Sequence, residues 1–230
     1  MNELIRTSAY CGVVLSLGTY FLGSWLKKKL KCRFLNPLLL SILFTVVVLL
    51  VGGVDYDSYH QGAKYLSYLL TPATVCLAVP LYEQFEVLKK NWQAVLAGIL
   101  AGVGASLLSI LAMAVLFSLG HEEYVTFLPK SITTAIGMGV SEELGGYVPV
   151  TVAVIIITGV LGNVLAEPVL RLFRIQAPVA KGIALGTASH AIGTTRAMEM
   201  GEVEGAMGSL SIVVSGVLTV AGASLFALFW

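Results

Sequence analysis

A chain of 230 residues that is 57% hydrophobic and only 12% charged, with mean hydropathy +0.89, lies outside the range of soluble domains, which carry about 25% charged residues. A formal net charge of +1, with no basic run interleaved with aromatics, excludes a nucleic-acid binder. Three cysteines without a CxxC pair (Cys11, Cys32 and Cys76) give neither a disulfide framework nor a thiolate metal centre.

In chain order, residues 9–26, 35–54, 92–120, 148–166 and 205–230 contain no Asp, Glu, Lys or Arg. Each is close to the ~20 residues that cross ~30 Å of hydrocarbon as a helix. Several such blocks in succession predict an all-α polytopic membrane protein, because backbone amides in lipid must pair internally. The first block ends in "KKKLK" without a small-x-small cleavage site, so it reads as a retained span and not a signal peptide. Lys27, Lys28, Lys29, Lys31 and Arg33 then mark a cytoplasmic loop and leave the N-terminus outside.

The second span starts at Asn36-Pro37 and emerges at "DYDSYH" (55–60). Residues 63–83, broken by Pro72 and Pro80, return to a loop bearing Lys89 and Lys90, and 92–119 leads out to "HEEY" (121–124). Residues 128–146 are expected to be re-entrant, because that choice leaves Arg171 and Arg174 cytoplasmic after span 148–170. Residues 181–200 then cross outward to Glu199, Glu202 and Glu204, and 205–229 returns, with the C-terminus cytoplasmic. The sum is about seven crossings plus one re-entrant element.

This layout contains a repeat, which divides the chain into 1–34 (first span and basic loop), 35–119 (first repeat), 120–147 (re-entrant) and 148–230 (second repeat). "NPLLLSILFTVVVLLVGG" from Asn36 resembles "VPVTVAVIIITGVLGN" from Val148. "LLTPATVCLAVPLYEQ" (69–84) matches "LGTASHAIGTTRAMEM" (185–200), aligning Thr71 with Thr187 and Glu83 with Glu199. "GASL" recurs at 104–107 and 222–225. Copies of opposite orientation, each with a broken helix, are a transporter signature with the site where the helices break.

Two polar islands carry the chemistry. In 181–200, Gly182, Gly186 and Gly193 permit close approach or a break, and Thr187, Ser189, Thr194 and Thr195 are neutral donors for a carboxylate or hydroxyl ligand. Arg196 can hold a carboxylate in a bidentate pair, and His190 can donate to an anion or exchange a proton. In 128–146, Pro129, Lys130, Ser131, Thr133 and Thr134 surround a helix start whose free amides suit an anion. Intramembrane polar groups of this kind mark functional sites, whereas the structural alternative is interhelical hydrogen bonding. Enzyme readings fail: Ser189-His190 has no Asp orienter or GxSxG elbow, and His121-Glu122 lacks the second His of HExxH. No cofactor or metal is expected.

Residues 69–84, 128–146 and "RIQAPVAKGIALGTASHAIGTTRAMEMGEVEGAMGSL" together resemble the LrgB/CidB family of bacterial inner-membrane, antiholin-like proteins, with Ala135 where a proline is common. The resemblance implies a small LrgA/CidA-type membrane partner, a lipid bilayer setting and an inner-membrane location. A chloroplast relative exchanges glycolate and glycerate, and some bacterial pairs are linked to pyruvate uptake. Two functions follow. One is a carrier of small monocarboxylate anions such as pyruvate, glycolate or glycerate, with Thr71, Lys130, Ser131, Thr133, Thr134, Thr187, Ser189, His190, Thr194, Thr195 and Arg196 as substrate ligands and His190 or Glu199 coupling a proton. The other is a regulator of murein hydrolase export and lysis. A homo-oligomer stays open.

Overall fold

The computed structural model describes residues 10–30, 37–69, 72, 75–76 and 78–230, and the secondary structure among them is all helical. The helices are α1 (Cys11–Leu30), α2 (Pro37–Gly52), α3 (Tyr56–Ser67), α4 (Ala78–Glu83), α5 (Phe85–Phe117), α6 (His121–Phe127), α7 (Thr134–Glu143), α8 (Val148–Leu172), α9 (Pro178–Met200) and α10 (Glu202–Phe226), closed by a 3-10 turn at Ala227–Phe229. Residues 85–117, 148–172 and 202–229 are each long and apolar enough to cross a membrane. The protein is a multi-pass α-helical membrane protein. It separates into two compact units, Met1–Cys76 and Leu77–Trp230.

In the first unit, α1 and α2 are apolar on their outer faces and joined by hydroxyls within. Thr19 Oγ1 lies 3.0 Å from both Ser41 Oγ and Thr45 Oγ1, and all three residues are buried. Such pairs hold helices together where lipid offers no hydrophobic gradient between them. On α3, Asp55 caps the helix start by accepting from the Ser58 amide at 3.0 Å. Thr71, Lys31 and Arg33 lie outside the described residues, and so does most of the expected break between 69 and 77.

In the second unit, α5 buries Val95, Ile99, Val103, Leu107, Ile110 and Ala114, a stripe at three- and four-residue spacing. Its other face leaves Leu96, Leu100, Leu108 and Val115 exposed, as a lipid-facing surface requires. The start of α5 adjoins Gly201 and Glu202, and its end adjoins Trp230, whose indole Nε1 donates to Leu119 O at 2.7 Å. Helices α5 and α10 therefore run in the same direction. Helix α8 runs the opposite way, from Tyr147 beside Glu122 to Arg171 beside Lys181.

Residues 121–146, which include the segment 128–146 expected to be re-entrant, fold as a helical hairpin of α6 and α7. Its two ends are clipped together: the Tyr147 amide donates to Thr126 Oγ1 at 2.7 Å and the Tyr147 hydroxyl to Glu122 Oε2 at 2.5 Å. The hydrogen bond to Glu122, with that carboxylate's charge, pushes the exposed Tyr147 phenol above its ordinary pKa.

Helix α9 differs from the expected crossing. Ser189 (φ −137°, ψ 19°) and His190 (φ 42°, ψ −137°) leave the helical region, and the chain reverses there. Leu185 packs with Ala197, and a Cβ on Gly193 would strike Leu185 O, eight residues back, a contact no straight helix makes. Residues 178–200 are thus a second hairpin, with Arg196, Glu199 and Met200 returned to the end that holds Arg171, Arg174 and Lys181. Glu199, Glu202 and Glu204 do not lie opposite the arginines. Helix α10 starts at the arginine end and finishes against His121, so the C-terminal residue lies at the end opposite Arg171 and Arg174, another departure from expectation.

The inverted relation is present, with different members. Helix α5 followed by the first hairpin and α8 followed by the second are oppositely directed. The two "GASL" stretches lie instead on parallel helices, where a Cβ on Gly222 would meet Leu107 Cδ1 at 2.6 Å.

Candidate functional site

The two hairpins enter this unit from opposite ends and converge on α8. Each arm of the second, 11 and 10 helical residues, is about 15–17 Å long and reaches roughly half-way through a ~30 Å core. His190 Nε2 lies 3.1 Å from Ile155 O, and Gly137 of the first hairpin packs against Ile155 Cδ1. The socket for the second tip is made by missing side chains. A Cβ on Gly159 would come within 2.8 Å of the His190 ring, and one on Gly162 would overlap Ser189 Oγ. Asn163 Nδ2 donates to Ile192 O at 2.9 Å, satisfying a carbonyl at the start of the returning arm.

His190, at φ 42° and ψ −137°, occupies a conformation that glycine normally takes. For an L side chain this costs about 1–3 kcal/mol, and such outliers gather at functional sites. The buried imidazole is held by the backbone of α8, so its first role is to fix the tip.

The charged element sits on the first hairpin. Lys130 Nζ donates to Ser131 Oγ at 3.0 Å and to Ser106 Oγ of α5 at 3.2 Å, and among the described residues it has no carboxylate partner. Ser106 and Ser131 oxygens also lie 3.2 Å apart. An ammonium contacted only by neutral hydroxyls in a membrane interior keeps its charge available to an anion. One helical turn back on α5, about 6 Å along the axis, Gly102 faces Thr187 of the second hairpin; a Cβ there would be 2.7 Å from Thr187 Cγ2. The Thr187 hydroxyl is buried and has no hydrogen-bond partner among the described residues. Such a group normally finds one.

A groove of about 480 Å³ leads to this point. Asn91, Ala94, Gly98 and Gly102 form one wall, at spacings that continue to Ser106. Ala180, Ala184, Thr187 and Ala188 of the second hairpin form the other. Small side chains leave the space, and polar ones close its inner limit.

The remaining candidates are dispersed. Thr133 is the N-cap of α7 without a side-chain cap bond, and Thr134 opens that helix, both half-buried. Thr194 has a buried hydroxyl without a partner among the described residues, but it faces Gly208 of α10, away from the groove. Exposed Thr195 bonds its own turn at Ala191 O. Arg196 pairs with both Glu167 and Glu199 and lies about 9 Å by helical rise from His190. It is a clamp at the hairpin base, not a member of the tip cluster, and Glu199 is committed to it. Ser106 contacts Lys130, and Gly159 and Gly162 make room for the second tip; the sequence singled out none of the three. A lone Ser or Gly in an apolar helix looks the same whether it serves packing or a site.

The arrangement defines a class: multi-pass helical membrane proteins that bring two re-entrant hairpins together from opposite ends around a buried polar point. Within that class the chain belongs to the LrgB-like family, whose family model matches residues 16–229, nearly the whole chain. No solved structure matches it.

Proposed function

We propose that the protein carries small monocarboxylate anions across the membrane. The observation that supports this most strongly is Lys130, a cation met only by hydroxyls, one helical turn along α5 from the unpartnered Thr187 hydroxyl. One cation matches one carboxylate. Ser106 and Ser131 supply further donors, and Thr187 suits the neighbouring hydroxyl or keto oxygen of a two- or three-carbon acid such as glycolate, glycerate or pyruvate. The groove opens the site toward the end carrying Lys89, Lys90, Arg171, Arg174, Lys181 and Arg196, which the positive-inside rule assigns to the cytoplasm of a bacterial inner membrane. An LrgA/CidA-type membrane protein is the partner this reading expects. His190, the imidazole at the tip, is the residue this reading assigns to proton coupling.

The test is uptake of radiolabelled pyruvate, glycolate and glycerate into proteoliposomes of the purified protein. Saturable uptake of one acid, with a half-saturating concentration that Lys130→Ala raises about ten- to a hundredfold, supports the carrier. A folded protein that moves none of them, yet alters murein hydrolase export and lysis in cells, is an antiholin-like regulator instead.

A further inference from the structure

A second cavity, of about 530 Å³, lies at the other extremity of the second hairpin, where the end of α8 meets the bases of both α9 arms. Arg171, Arg174, Lys181 and Arg196 stand around it against Glu167 and Glu199; four cations against two carboxylates leave an excess of two positive charges. Both carboxylates are taken by Arg196, and Arg171 reaches Glu167 only at 3.6 Å. Lys181 lies 3.7 Å from Glu204, outside the cavity wall. Arg174 has no ion pair among the described residues.

The backbone of Arg174 is a separate observation. After α8, the Ile175 amide bonds Leu170 O at 2.8 Å and the Arg174 amide bonds Arg171 O at 3.1 Å, with Arg174 at φ 53°. This is the left-handed closing position of a helix, where glycine is the usual residue. An arginine held there places a guanidinium beside the cavity at the expense of local strain.

We propose that this cavity binds a phosphate group at the membrane surface. The guanidinium fork matches phosphate oxygens in pairs, the volume lies in the range of small-ligand sites, and basic pockets between membrane helices take lipid head groups. The ligand is either the phosphate of an anionic phospholipid or a free phosphate; the chemistry recognised is the same. Because the cavity spans α8 and both hairpin arms, an occupant ties the hairpin base to its neighbour and raises the unfolding temperature. The inference does not depend on carrier activity.

Thermal unfolding of the full chain in neutral detergent, with added inorganic phosphate or with chloride at matched ionic strength, tests it, alongside protein in phosphatidylglycerol and phosphatidylcholine vesicles. Phosphate, and not chloride, is expected to raise the midpoint. Arg174→Gly relieves the left-handed strain, so it folds at least as well, yet it should need about tenfold more phosphate for the same rise. Lys28→Gln should respond as the wild type does. A response to phosphatidylglycerol vesicles without one to free phosphate supports the site and assigns it to lipid. Equal stabilisation by chloride, no stabilisation by either phosphate source, or a wild-type response in Arg174→Gly would overturn it.

Discussion

The two hairpins each carry one prominent cation, and they use it in opposite ways. On the first, Lys130 stands at the turn between α6 and α7 with two serine hydroxyls as partners. On the second, Arg196 stands near the base, bound by Glu167 from α8 and Glu199 from its own helix. A charge balanced by two carboxylates has little attraction left for a substrate. A charge met only by hydroxyls leaves its attraction for an anion unspent. The residue type is therefore a poor guide to the ligand site; the partners decide.

The contrast depends on both ends of α9 lying at one face, and this can be broken outright by single-cysteine labelling in a cysteine-free background. Positions 89 and 199 should react from the same side of the membrane, and position 122 only from the other. The outcome is all or none. Labelling of 199 together with 122 would restore a crossing helix and remove the second hairpin.

The next largest effect is expected at Lys130. Losing a charge-assisted hydrogen bond to a bound anion costs about 1.5–3 kcal/mol, roughly ten- to a hundredfold in affinity. Lys130→Ala should raise the half-saturating substrate concentration by that factor, with Lys130→Arg retaining part of the function. Arg196→Ala should behave in the reverse manner. It leaves Glu167 and Glu199 facing one another in a partly buried place, so unfolding free energy should drop by about 1–2 kcal/mol, between the exposed and buried ranges. Half-saturation should barely move. If Arg196→Ala weakened substrate binding as much as Lys130→Ala, the assignment of the two cations would be reversed.

Much of this was legible in the sequence, but unevenly. Charge-free blocks read correctly as α5, α8 and α10, because a polar side chain in hydrocarbon is costly enough to leave a clear pattern. The polar island at 128–146 lies in a helical hairpin whose two ends meet at Glu122 and Tyr147. The glycine- and hydroxyl-rich island at 181–200 read correctly as broken, yet its direction after the break did not follow. A kink and a reversal need the same small residues, and tertiary contacts such as Leu185 on Ala197 separate them. A signal was available. Lys181 and Arg196 flank the segment, and the positive-inside rule applied to both would have brought them to one face. The partnership of Arg196 with Glu167 across 29 residues was illegible, because Glu199 three residues away offered a local partner. The strain at His190 was equally hidden, since nothing in "ASHAIG" places a histidine where glycine belongs.

His190 sharpens the comparison from the side of the tip. His190→Ala removes the bond to Ile155 and keeps the strained backbone, whereas His190→Gly removes both. The glycine variant should be the more stable of the two by about 1–2 kcal/mol in thermal or chemical unfolding. Both should lose the pH dependence of uptake if the imidazole couples the proton. Retained pH dependence in the glycine variant would leave His190 a structural pin and nothing more.

The smallest effect is expected at Thr187, and it separates a packing group from a ligand most cleanly. Its hydroxyl is buried beside Gly102 and unpartnered among the described residues, so Thr187→Val exchanges a desolvated hydroxyl for a methyl of the same shape. Removing an unsatisfied polar group is neutral or stabilising. Unfolding should therefore be unchanged or shifted upward, while affinity for a hydroxy or keto acid falls by about tenfold or less, the value of one neutral hydrogen bond. The loss should shrink further for acetate, which has no second oxygen function to meet the hydroxyl. A Thr187→Val protein that was destabilised and bound all these acids normally would place the hydroxyl in the packing of α9 on α5 and leave Lys130 without its neighbour in the site.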